Sequence, residues 1–120
     1  MFTTWINILK QVPKSVLWLL EDDKIAKKNL INYAEEMGID KKRLFFGKRL
    51  NLDTHLKRLK HAHLALDTNI YSGGATTSNA IYAGVPVVTL EGTTYISRMS
   101  TGLITSAGLP ELITKNLNEY

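Results

Sequence analysis

Four short apolar runs alternate with segments of helical periodicity, and that alternation restricts the fold open to this chain more than any other feature. Ser15-Val16-Leu17-Trp18-Leu19-Leu20 lies between Pro13-Lys14 and Glu21-Asp22-Asp23. A run of that length, rich in strand formers, reads as a strand buried on both faces. Ala26, Leu30, Tyr33, Ala34 and Met37 then recur at helical spacing, with Lys27, Lys28, Asn32, Glu35 and Glu36 on the other face. This predicts a helix with the apolar set inward, capped by Asp22 or Asp23 and closed by Gly38. Arg43–Phe46 reads as a second strand, and Asp53 or Thr54 starts a helix with Leu56 and Leu59 inward. Leu64–Asp67 is a third strand. Tyr71–Thr77 is a loop of small residues, leading into a short helix to Ala83 closed by Gly84. Val85–Leu90 is a fourth strand. Ser97–Ala107 reads as a helix closed by Gly108, and Leu109–Ile113 begins another with Pro110 in its first turn. Thr3–Val12 is a helix ahead of them all. Strands alternating with helices imply βαβ units with right-handed crossovers. The expected class is α/β, a Rossmann-like parallel sheet flanked by helices.

With 120 residues the chain supports a single domain, 1–120. It holds no cysteine, which excludes a disulfide framework and a cysteine zinc site. Its longest apolar run is Val16–Leu20, far short of a membrane span, and Met1–Lys10 has no signal-peptide pattern. A cytoplasmic protein is expected. The net charge is +4, but Lys41–Lys60 holds eight basic residues against one acid, Asp53, and the rest of the chain is net negative. Two readings fit: a solvated basic face, or an edge that meets an anion. Nucleic acid is not the expected anion, because the only aromatics in that window, Phe45 and Phe46, read as buried strand.

In open α/β sheets ligands bind beyond the carboxyl ends of the strands, which directs attention to Asp67–Thr77. Gly73-Gly74 lets backbone approach a ligand, and Thr76-Thr77 opens a helix whose free N–H groups favour an anion. A diphosphate cradle and a plain turn with a threonine cap both fit this segment. It matches neither G-x-G-x-x-G nor the P-loop pattern. His55 and Arg58 share a helix face, where they read either as a pair for stacking on and hydrogen-bonding a base, or as a solvated surface pair. Asp67, at a strand end, is either functional or the cap of the loop that follows. His61 and His63 have no carboxylate partners, so no metal site is expected. No catalytic set is identifiable.

Residues in order along the chain carry a resemblance. Trp5, Ile8-Leu9, Val12-Pro13 and Ser15–Leu20 come first, then Met37-Gly38-Ile39, Arg43–Phe46 and His55-Leu56-Lys57-Arg58. Leu66-Asp67-Thr68, Tyr71–Ala80, Ala83–Leu90, Ser97-Arg98 and Gly108–Ile113 follow. From Trp5 to Tyr120 the chain resembles the C-terminal catalytic region of the O-linked N-acetylglucosamine transferases. The resemblance implies a lobe of a GT-B enzyme, two Rossmann-like domains facing a cleft, often preceded by tetratricopeptide repeats. It implies inverting, metal-independent transfer of N-acetylglucosamine from UDP-N-acetylglucosamine to serine or threonine of a protein acceptor, with no further cofactor. The N-terminal GT-B lobe, and with it the catalytic groups, would lie outside these residues, so the 120-residue piece alone is expected to be inactive.

The resemblance places His55 against the uracil with Arg58 beside it, and the Leu50 backbone facing the base. Gly73, Gly74, Ala75, Thr76 and Thr77 would cradle the diphosphate, and Asn79 would meet the ribose. Four positions depart from the family pattern: Asn79 and His63 stand where it has Asp, Ala75 where it has Thr, and Leu52 where well-studied members have Lys. Weaker UDP binding, another UDP-sugar, or a non-catalytic nucleotide- or protein-binding module would each be compatible with those departures.

Overall fold

The computed structural model describes residues 1–120 throughout. They form two compact units, Met1–Leu50 and Asn51–Tyr120.

In the first unit, α1 (Phe2–Gln11) is followed by β1 (Leu17–Leu20), α2 (Lys24–Glu36), a 3₁₀ turn (Lys41–Arg43) and β2 (Leu44–Gly47). The strands pair in parallel, Leu17 opposite Leu44 through Leu20 opposite Gly47. Side chains alternate across a strand, so Leu17 and Leu19 share a face with Leu44 and Phe46. That face packs on Ile6, Leu9, Ala34 and Ile39. The other face is open: Leu20 is 45% exposed and Phe45 is 55% exposed. The expectation of strands buried on both faces is thus corrected, because within this unit helices cover one side only. Asp23, rather than Asp22, caps α2, its carboxylate accepting from Ala26 N at 2.7 Å. Gly38 ends the helix at φ 81°, a left-handed conformation open to glycine without a Cβ penalty. The predicted apolar stripe of α2 divides. Ala34 and Met37 reach the core, joined by Ile31 from outside the predicted stripe, while Ala26 and Leu30 line a surface groove of about 470 Å³ with Phe2, Thr3, Asn29 and Tyr33.

In the second unit, α3 (Leu52–Leu59), β3 (Ala65–Leu66), α4 (Ala75–Tyr82) and β4 (Val87–Leu90) come first. A 3₁₀ turn (Ile96–Arg98), α5 (Met99–Ser106), another 3₁₀ turn (Pro110–Leu112) and β5 (Ile113–Thr114) follow. The sheet order is β3-β4-β5, all parallel. Ala80, Val85, Val87 and Ile104 form its core, with Leu59, Ala65 and Leu112 packed against them. Two expectations are corrected. Asn51, not Asp53 or Thr54, caps α3 by accepting from Thr54 N at 3.0 Å. The helix expected from Leu109 is a single 3₁₀ turn running into a strand. Ile113 and Thr114 pair with Thr89 and Leu90, and Thr114 Oγ1 donates to Thr89 O at 2.9 Å. Pairing with a neighbouring strand overrides the local helix signal.

Candidate functional site

The loop after β3 is held from beneath by buried polar groups. Asp67 is 7% exposed. Its Oδ1 accepts from Gly73 N at 2.8 Å and its Oδ2 from Thr89 Oγ1 at 2.7 Å. Asp67 therefore holds the loop, the second of its two sequence readings. Its carbonyl also accepts from Tyr120 Oη at 2.7 Å. Ser72 Oγ donates to Ile96 O at 2.7 Å, tying this loop to the one after β4. Ser100 Oγ, on α5, donates to Gly73 O at 2.8 Å and lies 2.8 Å from Thr77 Oγ1. Ser100 has one hydroxyl hydrogen and spends it on Gly73, so Thr77 is the donor of the second bond.

Gly73 is needed because a Cβ there would come within 2.4 Å of Thr76 Oγ1 and 2.5 Å of Thr77 Oγ1. One on Gly74 would meet only Met99 Cε, at 2.6 Å, the end of a flexible side chain that can swing aside. Helix α4 starts at Ala75, a residue ahead of the expected Thr76, with Gly74 as its N-cap and no side-chain cap. Its first N–H groups have no partner within the helix. Ala75 and Thr76 are exposed, whereas Thr77 is 3% exposed with its hydroxyl turned to Ser100. Of the two threonine hydroxyls expected to face a ligand, only that of Thr76 is open. Asn79 is half-buried on the same helix.

His55 and Arg58 are both half-buried on α3, with Arg58 Nη2 3.2 Å from His55 Nδ1. They are a bonded pair, and the guanidinium steadies the imidazole ring. Leu50 is 45% exposed at the end of the first unit. Leu52, in the first turn of α3, is 60% exposed. His61 and His63 are both exposed, and no group of three or more His, Asp or Glu side chains is placed to hold a metal ion.

The basic window resolves into separate tasks. Arg43 donates to Ser15 O at 2.9 Å, Leu9 O at 2.7 Å and Val12 O at 2.8 Å. It therefore closes the carboxyl end of α1 rather than meeting an anion. Arg49 pairs with Asp22 at 2.8 Å, and the bond holds the Asp22 carboxyl below its ordinary range. Lys57 pairs with Asp53 at 2.8 Å. At the carboxyl end of β4, Glu91 is bonded to Lys115 and lies 3.0 Å from Arg98. The Lys115 hydrogen bond, against some desolvation and with help from the Arg98 charge, lowers the Glu91 carboxyl.

Sequence reasoning missed Ser100. A signal for it was present: Ser97, Ser100 and Thr101 are spaced as one helical face, and all are buried.

Parallel strands flanked by helices, with a glycine turn opening a helix after β3, define a Rossmann-like α/β protein of the kind that takes ligands at strand ends. The chain belongs to glycosyl transferase family 41, whose family model matches residues 1–120. It is 34% identical over 116 residues to the UDP-N-acetylglucosamine–peptide N-acetylglucosaminyltransferase of Caenorhabditis elegans, covering 97% of this chain and 10% of that protein. It is 33% identical over 118 residues to the probable enzyme of that description, SEC, of Arabidopsis thaliana, covering 98% of this chain and 12% of that protein. A solved structure, a mutant of the O-GlcNAc transferase of Thermobaculum terrenum, superposes with a TM-score of 0.93 at 33% identity, over 99% of this chain and 24% of that one. The expected α/β class, part of a GT-B catalytic region, is borne out. The chain spans about an eighth or less of the length of these two relatives.

Proposed function

We propose that this chain is the donor-binding part of a cytoplasmic, inverting, metal-independent protein O-N-acetylglucosaminyltransferase. Its donor is UDP-N-acetylglucosamine. The acceptor is a serine or threonine of a separate protein, bound through regions outside these residues, and the N-terminal lobe and tetratricopeptide repeats belong to a longer protein. The names of the relatives support the donor and reaction. The absence of cysteine fits a reducing compartment. The observation that carries the reading is the uncapped start of α4 at Gly74 beneath a pinned glycine turn.

The chemistry follows from that geometry. When the bond from sugar to UDP breaks, negative charge grows on the diphosphate. N–H groups fixed in advance at a helix start bind that charge more strongly in the transition state than in the ground state. Gly74, Ala75, Thr76 and Thr77 supply such groups, and the Thr76 hydroxyl adds a donor. His55, steadied by Arg58, offers a flat ring for the uracil. Asn79 is assigned to the ribose.

Titration of the ¹⁵N-labelled chain with UDP tests the reading. Shifts are expected at the amides of His55, Arg58 and Gly74–Thr77. Shifts elsewhere, or none at millimolar UDP, sink it.

Exposed Ala75, which brings no hydroxyl to the helix start, favours a second reading: a module that binds a nucleotide or protein without catalysis. Ala75→Thr with Asn79→Asp separates the two. A gain of about tenfold or more in UDP affinity supports an origin in the transferase, and no gain supports another ligand.

A further inference from the structure

A buried hydroxyl chain runs from Thr77 through Ser100 to the Gly73 carbonyl. We propose that Ser100 is a positioning residue for the donor diphosphate, setting the direction of the Gly74 N–H from beneath. This rests on the reading that the Gly73–Thr77 segment holds UDP.

The peptide between Gly73 and Gly74 is planar and trans, so its C=O and N–H point in opposite directions. Ser100 Oγ donates to that C=O at 2.8 Å and is itself 0% exposed. The carbonyl is thereby turned inward to α5, and the Gly74 N–H is turned away from α5. On the preceding peptide the arrangement is different. There the Gly73 N–H is already given to Asp67 Oδ1 at 2.8 Å and is unavailable to a ligand. Gly74 is therefore the first amide of the Gly73–Thr77 segment that is not given to the fold, and Ser100 sets its direction.

The support for Ser100 is itself specified. Thr77 Oγ1 donates to Ser100 Oγ, and the Ser100 N–H donates to Ser72 Oγ at 3.3 Å. Ser72 Oγ passes its hydrogen on to Ile96 O. A rotated Ser100 hydroxyl would leave a buried carbonyl unpaired, which is unfavourable, so the rotor has one good setting. Without this hydroxyl the Gly73 carbonyl loses the bond that holds it toward α5, and the Gly73–Gly74 peptide is free of that restraint. Reversal would present a carbonyl oxygen to the diphosphate in place of a donor.

The experiment compares UDP with uridine, which carries the base and ribose but no phosphate. Affinities of both are measured by NMR titration of the 120-residue chain and of Ser100→Ala. The unsubstituted chain is expected to bind UDP more tightly than uridine. Ser100→Ala is expected to weaken UDP about tenfold and leave uridine unchanged. Ser100→Thr, which keeps the hydroxyl, is expected to restore the preference. If Ser100→Ala loses its dispersed spectrum, Ser100→Cys, close in shape and a poor donor, carries the same comparison. Equal weakening of both ligands means general damage to the fold and overturns the proposal, as does no change in either. If the unsubstituted chain shows no preference for UDP over uridine, the donor reading itself fails and the proposal falls with it.

Discussion

Asp67 gives both carboxylate oxygens to neighbours on different segments, Gly73 and Thr89. Asp67→Ala strips both donors of a buried charged acceptor. It should destabilise the second unit by about 3 kcal/mol, read by urea unfolding. Asp67→Asn keeps an oxygen for Gly73 and should lose less. The residue looked ambiguous in the sequence because position at a strand end is shared by caps and by functional acids. Only the loop's return, which brings Gly73 back onto it, separates the two. The glycines were more legible. Two in a row ahead of two threonines suggested close approach, and the neighbours that forbid a Cβ on Gly73 are those threonines, Thr76 and Thr77. Gly73→Ala should reduce UDP affinity, because its Cβ would push on Thr76 and Thr77 at the start of α4, checked by the UDP titration.

Helix α1 shows how an element can depend on a residue far along the chain. Its carboxyl end has carbonyls with no helical partner, and Arg43 supplies the donors from the turn before β2. Arg43→Ala should destabilise the first unit by about 2 kcal/mol, and Arg43→Lys should recover only part, because an ammonium cannot fork across separated carbonyls. A charge count placed Arg43 in a window that reads either as a solvated face or as an edge that meets an anion. The count carries no information about which cations are already committed to backbone. Strand ends show a similar limit. The apolar runs located β1 to β4, but β5 is two residues, Ile113 and Thr114, behind a proline that signals a helix. Its existence depends on pairing with β4, which no local pattern records. The ion pairs at the end of β4 give a pH dependence. The Glu91 carboxyl is lowered in the folded chain from an ordinary value of 4.5. Its contribution is therefore complete above about that pH and is lost as pH falls through the lowered value. The melting temperature should fall below pH 4.5, less steeply in Glu91→Gln.

At the scale of the molecule, the chain leaves large apolar side chains in water, among them Ile25 at 72%, Ile70 at 73%, Tyr82 at 81% and Tyr95 at 82% exposure. Single exposed residues are normal, but so many on 120 residues make self-association at high concentration the expected behaviour, checked by sedimentation. The family relation was readable because residues matched in order across nearly the whole chain, where each motif alone was compatible with a simple turn or cap. Spanning 24% of the solved relative's chain, these residues are expected to bind UDP without hydrolysing or transferring from UDP-N-acetylglucosamine, measured by release of free sugar. The pinned glycine turn has one more consequence, in the time domain. The Gly73 amide is bonded to a buried carboxylate, while the amides of Gly74, Ala75 and Thr76 open α4 without a cap. In deuterated water the first should exchange slowly and the others fast. A bound diphosphate should slow only the fast set, so the exchange record distinguishes the amides that build the turn from those it holds ready.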